Sequence, residues 1–176
     1  MLEIAERHFE HFKETPLKTL LEYKKPGNAY DYLIQGWTQY WNEVLKPGDP
    51  LDPDLIKALI ASDSGFNPKA WNHLRGPARA RGLLQVTDRT VRYLTDDYDE
   101  LSDHFLNLTE DEMLDPNFAI CAGIRWLFRK KQLTEARAKK TISWRDAVAA
   151  FKGVKPNDGL MKKYDRYYAE LKGSKK

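Results

Sequence analysis

The residue with the strongest claim to chemistry is Asp63. It lies four residues after Leu59 and three after Ile60, so a helix carrying those residues puts it on their apolar face. A carboxylate there is costly unless it is paired or protonated. Burial raises its pKa, and so does the negative end of the helix dipole. A carboxylic acid kept protonated near neutral pH is what the general acid of glycoside cleavage must be. The position also suits a structural role, a helix-end residue bonding to the backbone just before Gly65. Other chemistries find less material. The single cysteine, Cys121, excludes an intramolecular disulfide framework and any multi-cysteine zinc site, and on an apolar helix it reads as a small buried hydrophobe. His8, His11, His73 and His104 are too scattered to form a metal site, so neither metal nor cofactor is expected.

The elements that must position Asp63 are helical almost throughout. The periodicity predicts a helix over Leu2–Lys13, stopped by Pro16, and a second over Ala29–Leu45 carrying Trp37 and Trp41. The breaker cluster Lys46-Pro47-Gly48-Asp49-Pro50 marks a boundary between an N-terminal helical extension, 1–50, and a main domain, 51–176. Asp52 caps a third helix with Pro53 at its first position, and Gly65 ends it. Residues Phe66 to Leu83 read as loop. Thr87 caps a short helix, and the acidic run from Asp96 to Glu112 reads as solvated. Asp115-Pro116 opens a strongly apolar helix, Ser143 and Asp146 form a capping box, and a last helix spans Leu160 to Leu171 before a frayed Lys-rich tail. Trp37, Trp41, Trp126 and Trp144 read as core rather than as a sugar platform. The fold class is all-α, or α with a minimal β element.

Four segments carry a resemblance. Asp63-Ser64-Gly65-Phe66-Asn67-Pro68 resembles the first motif of the soluble lytic transglycosylases, relatives of goose-type lysozyme, in which Glu-Ser-Gly-Phe-Asn-Pro ends a helix. Gly82-Leu83-Leu84-Gln85-Val86 resembles their Gly-Leu-Met-Gln-Val. Asp115 to Leu127 is similar to the Asn-Ile-x-x-Gly-x-x-Tyr-Leu helix, and Ala147 to Gly153 to Ala-Ala-Tyr-Asn-Ala-Gly. The resemblance runs from about Leu51 to Leu171 and leaves the first helices outside. It implies a lysozyme-like helical domain with a groove for peptidoglycan glycan strands. Cleavage would fall at the β-1,4 bond between N-acetylmuramic acid and N-acetylglucosamine. One carboxylic acid acts first as acid on the leaving oxygen and then as base. In transglycosylases the base step activates the sugar's own hydroxyl and leaves an anhydro end. In goose-type lysozymes a second carboxylate holds a water and the bond is hydrolysed.

Three departures matter. Asp63 stands where the family has glutamate, one methylene shorter. Phe151-Lys152 stands where the family has Tyr-Asn. Gly159-Leu160-Met161 matches a Gly-Tyr-Val word whose tyrosine reaches the acid, and Tyr164, one turn on, is a candidate substitute. The resemblance thus implies catalysis at Asp63 and substrate contacts at Ser64, Gln85, Phe151, Lys152 and Tyr164. Asp88 has two readings: it holds a water opposite Asp63, or it opens a helix with Thr87. No acid lies between Asp63 and Gly82, which leans towards transglycosylase chemistry. Arg75, Arg79 and Arg81, with Trp71 and His73, form a basic loop that either grips peptide-stem carboxylates or is simply exposed.

Composition bounds the alternatives. The chain has 176 residues, of which 41% are hydrophobic, enough to build a core and to exclude a wholly disordered chain. A net charge of +3 is too small to argue for nucleic acid, which ranks below both a glycosidase and a catalytically inactive peptidoglycan-binding domain. No apolar run is long enough to span a membrane. Met1 to Glu14 has no secretory-signal pattern. Action in the periplasm or cell wall then implies delivery by another route, such as an injected antibacterial effector or a phage lysis protein, or membership of a longer chain. An injected effector would need an immunity or inhibitor protein as partner.

Overall fold

A computed structural model describes residues 1–96 and 106–173. His104, most of the first half of the acidic run, and the end of the Lys-rich tail lie outside the described residues. The chain forms helices α1 (Leu2–His8), α2 (Lys24–Asn28), α3 (Asp31–Leu45), α4 (Pro53–Asp63), α5 (Asp88–Thr95), α6 (Pro116–Ala138), α7 (Trp144–Phe151) and α8 (Met161–Leu171). Two short strands, β1 (Ala80–Arg81) and β2 (Val86–Thr87), pair antiparallel, the first inside the segment expected to be loop and the second just after it. The expected all-α class with a minimal β element is what the chain adopts.

The first helix stops at His8 rather than Lys13, and a 3-10 turn follows over Glu10–Glu14. Packing explains the break. Phe9 leaves the helix to lie on Gly36, where a Cβ would come within 2.2 Å of its ring, and meets Trp37 edge-on at 5.1 Å. The helix expected from Ala29 begins at Asp31 and is preceded by the short α2, whose Pro26 sits within the first turn, where a missing N–H is tolerated. The caps fall where the sequence places them. Asp52 accepts from the Asp54 N–H at 3.0 Å, Thr87 from Thr90 at 3.1 Å, Asp115 from Asn117 at 2.8 Å, and Ser143 from Asp146 at 3.1 Å.

Residues before and after the breaker cluster share one core. Trp37 and Trp41 of α3 are buried and donate to Asn117 Oδ1 at 2.8 Å and to the Cys121 carbonyl at 3.1 Å, tying α3 to α6. Trp144 is buried as well and donates to the Asp49 carbonyl at 2.9 Å, which anchors the cluster itself. Trp126 is half-buried. In the acidic run the described part is less solvated than expected, since Leu106 and Leu108 are buried. Apolar side chains interleaved with the acids reach the core while the acids stay outside.

The middle of the fold is α4. Every residue from Leu55 to Ala61 is buried, so the helix is enclosed on all sides, packed chiefly by α8 and α3. Lys57 is among them, with none of its side chain exposed. Its ammonium lies 2.7 Å from the buried Asp31 carboxylate at the start of α3 and donates to Asn28 Oδ1 at 3.0 Å. Burial pushes Asp31 up to about 6 against the pull of Lys57, and pushes Lys57 below the usual ammonium range. The folded value of Asp31 exceeds its unfolded value of about 4. Stability tied to its proton is therefore complete below about pH 4 and is lost as the pH rises through about 6. Near neutrality the pair orients α3 on α4 rather than adding net stability.

Two tests follow from this packing. Lys57→Met strands the Asp31 charge and is expected to cost about 3–5 kcal/mol, while adding Asp31→Leu recovers most of the loss. Urea denaturation of both single variants and the double variant measures the coupling, and equal losses in single and double would show there is none. Gly123 of α6 sits where a Cβ would come within 2.3 Å of Leu84. Gly123→Ala is expected to cost about 1–3 kcal/mol by overpacking, read as a lowered Tm.

Candidate functional site

Asp63 is the last residue of α4, and its side chain is only 9% exposed. The helix delivers it from the core to the floor of a cavity of about 500 Å³. Beyond it the chain turns away through two left-handed residues, Gly65 at φ +59° and Phe66 at φ +63°. A non-glycine residue is strained there, and Phe66 is held by burial and by an edge contact with Tyr23 at 5.4 Å.

The opposite wall comes from the turn between β1 and β2. Gly82, at φ +74°, passes so close to the Met113 carbonyl that a Cβ would lie 1.8 Å from that oxygen. Only glycine permits both that backbone angle and that approach. Leu84 then packs onto Gly123, and Gln85, at φ +48°, lines the cavity with its amide donating to the Gly82 carbonyl at 2.9 Å. Phe151 and Lys152 line it from the end of α7, and Gly159, Leu160 and Lys163 from the start of α8.

The decisive contact is between Lys152 and Asp63. The Lys152 ammonium is ion-paired and hydrogen-bonded to Asp63 Oδ1, and it lies 3.4 Å from Ser62 Oγ. Ser62 Oγ is itself 3.3 Å from the same carboxylate oxygen. Burial raises the Asp63 pKa above the ordinary carboxylate range. The charge and hydrogen bond of Lys152, and the Ser62 hydroxyl, oppose that shift without cancelling it.

The structure thus brings together Asp63, Gln85, Phe151 and Lys152. Three other candidates are placed elsewhere. Asp88 is not in the cavity wall. Its buried carboxylate faces Arg81, at 3.3 Å from Nε, and its neighbour Thr87 lines the cavity instead. Asp88 opens α5 directly after β2, and its N–H donates to the Arg79 carbonyl at 2.8 Å beside β1. Ser64 bonds back to the Ile60 carbonyl at 3.2 Å, and Ser62, on the other side of Asp63, is the serine in the wall. Tyr164 is wholly buried and stacked on Tyr168 at 6.0 Å, because its spacing on α8 turns it into the core. Leu160, which occupies the family tyrosine's place in the motif, is the residue that lines the cavity. Motif position was the better guide than the nearest tyrosine. Thr87 was legible in the same way, at the position that follows Gly-Leu-Leu-Gln-Val. Ser62 and Lys163 carried no signal beyond proximity to the motifs.

Of the basic loop, Trp71, His73 and Arg75 are exposed, whereas Arg81 is committed to Asp88 and Asp111. Among the described residues, Asp63 is the only carboxylate in the cavity wall. No group of His, Cys, Asp or Glu among them is arranged to hold a metal, and no helix among them is long and apolar enough to cross a membrane.

Comparison with known proteins identifies a family. The family model described as the transglycosylase SLT domain matches residues 41–170, from the last turn of α3 to the end of α8. Searches of curated proteins and of solved structures return no match. The matched span contains every residue of the cavity wall. The chain belongs to the transglycosylase SLT domain family, helical lysozyme-like domains with lytic transglycosylase-type activity on peptidoglycan.

Proposed function

We propose that this chain cleaves peptidoglycan glycan strands at the β-1,4 bond between N-acetylmuramic acid and N-acetylglucosamine, with Asp63 as the sole acid and base. Residues 51–176 form the working domain and 1–50 an extension packed on it. The observation that carries the reading is that Asp63 alone supplies a carboxylate to the cavity wall described. With no second carboxylate to hold a water, the route open to it is intramolecular. Protonated Asp63 gives its proton to the leaving oxygen as the glycosidic bond breaks. The resulting carboxylate takes the proton of the sugar's own hydroxyl as that oxygen closes on the anomeric carbon, leaving an anhydro end. The site of action is the periplasm or cell wall.

Lys152 restrains this chemistry. Its ammonium favours the ionised form of Asp63 and occupies an oxygen that must meet the glycosidic oxygen. Asp63 is also one methylene shorter than the family glutamate, and about 1 Å of misplacement can cost on the order of 10²-fold in rate. The same ion pair supports a second reading, a groove that binds glycan without cleaving it.

The readings separate on purified sacculi with products identified by mass spectrometry. Asp63→Asn is expected to keep the fold and abolish turnover; unchanged activity would remove Asp63 from the mechanism. Asp63→Glu combined with Lys152→Asn is expected to exceed the parent by about 10²-fold, with each single change giving less. Anhydro ends are the expected product, reducing ends would mean hydrolysis, and no product from any folded variant would favour the binding domain. The pH profile gives an independent check. Cleavage requires Asp63 protonated, so the rate falls as the pH rises through its pKa. Lys152→Asn removes the cation that lowers this pKa, and the falling limb is expected to move to higher pH.

A further inference from the structure

The loop that leads into β1 is exposed and yet built. Trp71 and Leu74 stand out of it at 58% and 57% exposure, and every residue from His73 to Ala78 is exposed. Asn72 holds the loop together. Its side-chain amide donates to the Ala78 carbonyl at 3.0 Å, and its Oδ1 accepts from the N–H groups of Ala80 at 3.0 Å and Leu74 at 3.3 Å. The Asn72 N–H donates to the Ala80 carbonyl at 3.1 Å, and the Gly82 N–H to the Ala70 carbonyl at 2.8 Å. Trp71 adds an antiparallel bridge to Arg81, and a 3-10 turn over Gly76–Ala78 closes the tip. The rings of Trp71 and His73 meet edge-on at 5.6 Å. A loop fixed in this way loses little freedom when a partner arrives.

Its charge is of one sign. Lys69, Arg75 and Arg79 lie in the loop, and no acidic residue occurs between Asp63 and Asp88. Lys69 and Arg75 are exposed and have no ion pair among the described residues, whereas Arg81 is taken by Asp88 and Asp111. Cations beside an exposed indole and an exposed leucine fit a surface that is anionic outside and apolar just beneath. An anionic bilayer is such a surface. Each Lys or Arg near it gains about fivefold in affinity. An indole settles at the level of the headgroups, and a leucine leaves water. A soluble polyanion would engage the cations and give Leu74 nothing to enter. We propose that the loop from Lys69 to Arg79 docks the protein peripherally on an anionic lipid surface. None of these residues belongs to the wall of the Asp63 cavity, so the inference is independent of the glycan reading.

The test is binding by the full chain to three probes. These are vesicles of phosphatidylcholine alone, vesicles of equimolar phosphatidylcholine and phosphatidylglycerol, and a single-stranded DNA oligonucleotide. Co-sedimentation reads the vesicles and fluorescence anisotropy the DNA. Trp71 supplies a second readout, because it is the exposed member of the five tryptophans. Its entry into the interface shifts the emission to the blue and shields it from acrylamide. Anionic vesicles are expected to bind at least about tenfold more tightly than neutral ones. Lys69→Glu with Arg75→Glu is expected to remove that preference. Trp71→Ala with Leu74→Ala is expected to weaken anionic binding about tenfold and to abolish the emission shift, with circular dichroism unchanged in both paired variants. No binding to anionic vesicles, equal affinity for the two kinds of vesicle, binding that survives both paired variants, or binding without a change at Trp71 overturns the proposal. DNA bound more tightly than anionic vesicles, and lost on charge reversal, overturns it in favour of a nucleic-acid partner. None of these outcomes touches the assignment of Asp63, which the products from sacculi decide.

Discussion

A helix enclosed on every side cannot carry a charge without a partner, and besides Asp54 in its first turn, which Lys172 meets at 2.8 Å, α4 carries two. Lys57 lies in its middle and Asp63 at its end. Transfer of either charge out of water is costly, so the surrounding structure must supply counter-charges at both places. Asp31 and Asn28 answer Lys57 and thereby fix the N-terminal helices against the core. Lys152 and Ser62 answer Asp63 and thereby fix the end of α7 against the groove. The position of the extension and the state of the candidate acid are consequences of the same constraint.

The two pairs differ in what they allow. The Asp31–Lys57 pair is sealed, and its work is orientation. The Asp63–Lys152 pair is at the floor of an open cavity, with Lys152 15% exposed, so both partners remain within reach of a ligand. An acid that must give up a proton is best served by burial without a cation nearby. Here burial raises the Asp63 pKa and Lys152 opposes the rise, so the carboxyl is held between two opposing pulls.

Close backbone approaches set the width of the groove. Gly82 against Met113 and Gly123 against Leu84 let the β-turn sit directly on α6, and this places Gln85 across from Asp63 in the cavity wall. A side chain at either glycine would push that wall outward. The pattern explains why Gly-Leu-Leu-Gln-Val reads as a unit: the glycine makes the approach, the leucines anchor it and the glutamine faces the cavity.

Much of this was legible from residues alone, because the signals are local. Helix caps at Asp52, Thr87, Asp115 and Ser143, and the apolar stripe leading to Asp63, depend on neighbours within a turn or two, and periodicity reports them. The motif words located the groove because each is a short backbone device with a fixed job. What depended on packing between distant segments was not legible. Nothing in the sequence says that Lys152 reaches across 89 residues to pair with Asp63, or that Lys57 is buried on Asp31. The rotation of Asp88 towards Arg81, the inward turn of Tyr164 and the choice of Ser62 over Ser64 likewise follow from how helices and strands lie on one another. The sequence by itself determined which residues could do chemistry and on which elements they ride. Only the tertiary structure decided which of them meet, because charges and rings brought together over long separations answer to the packing of the whole core.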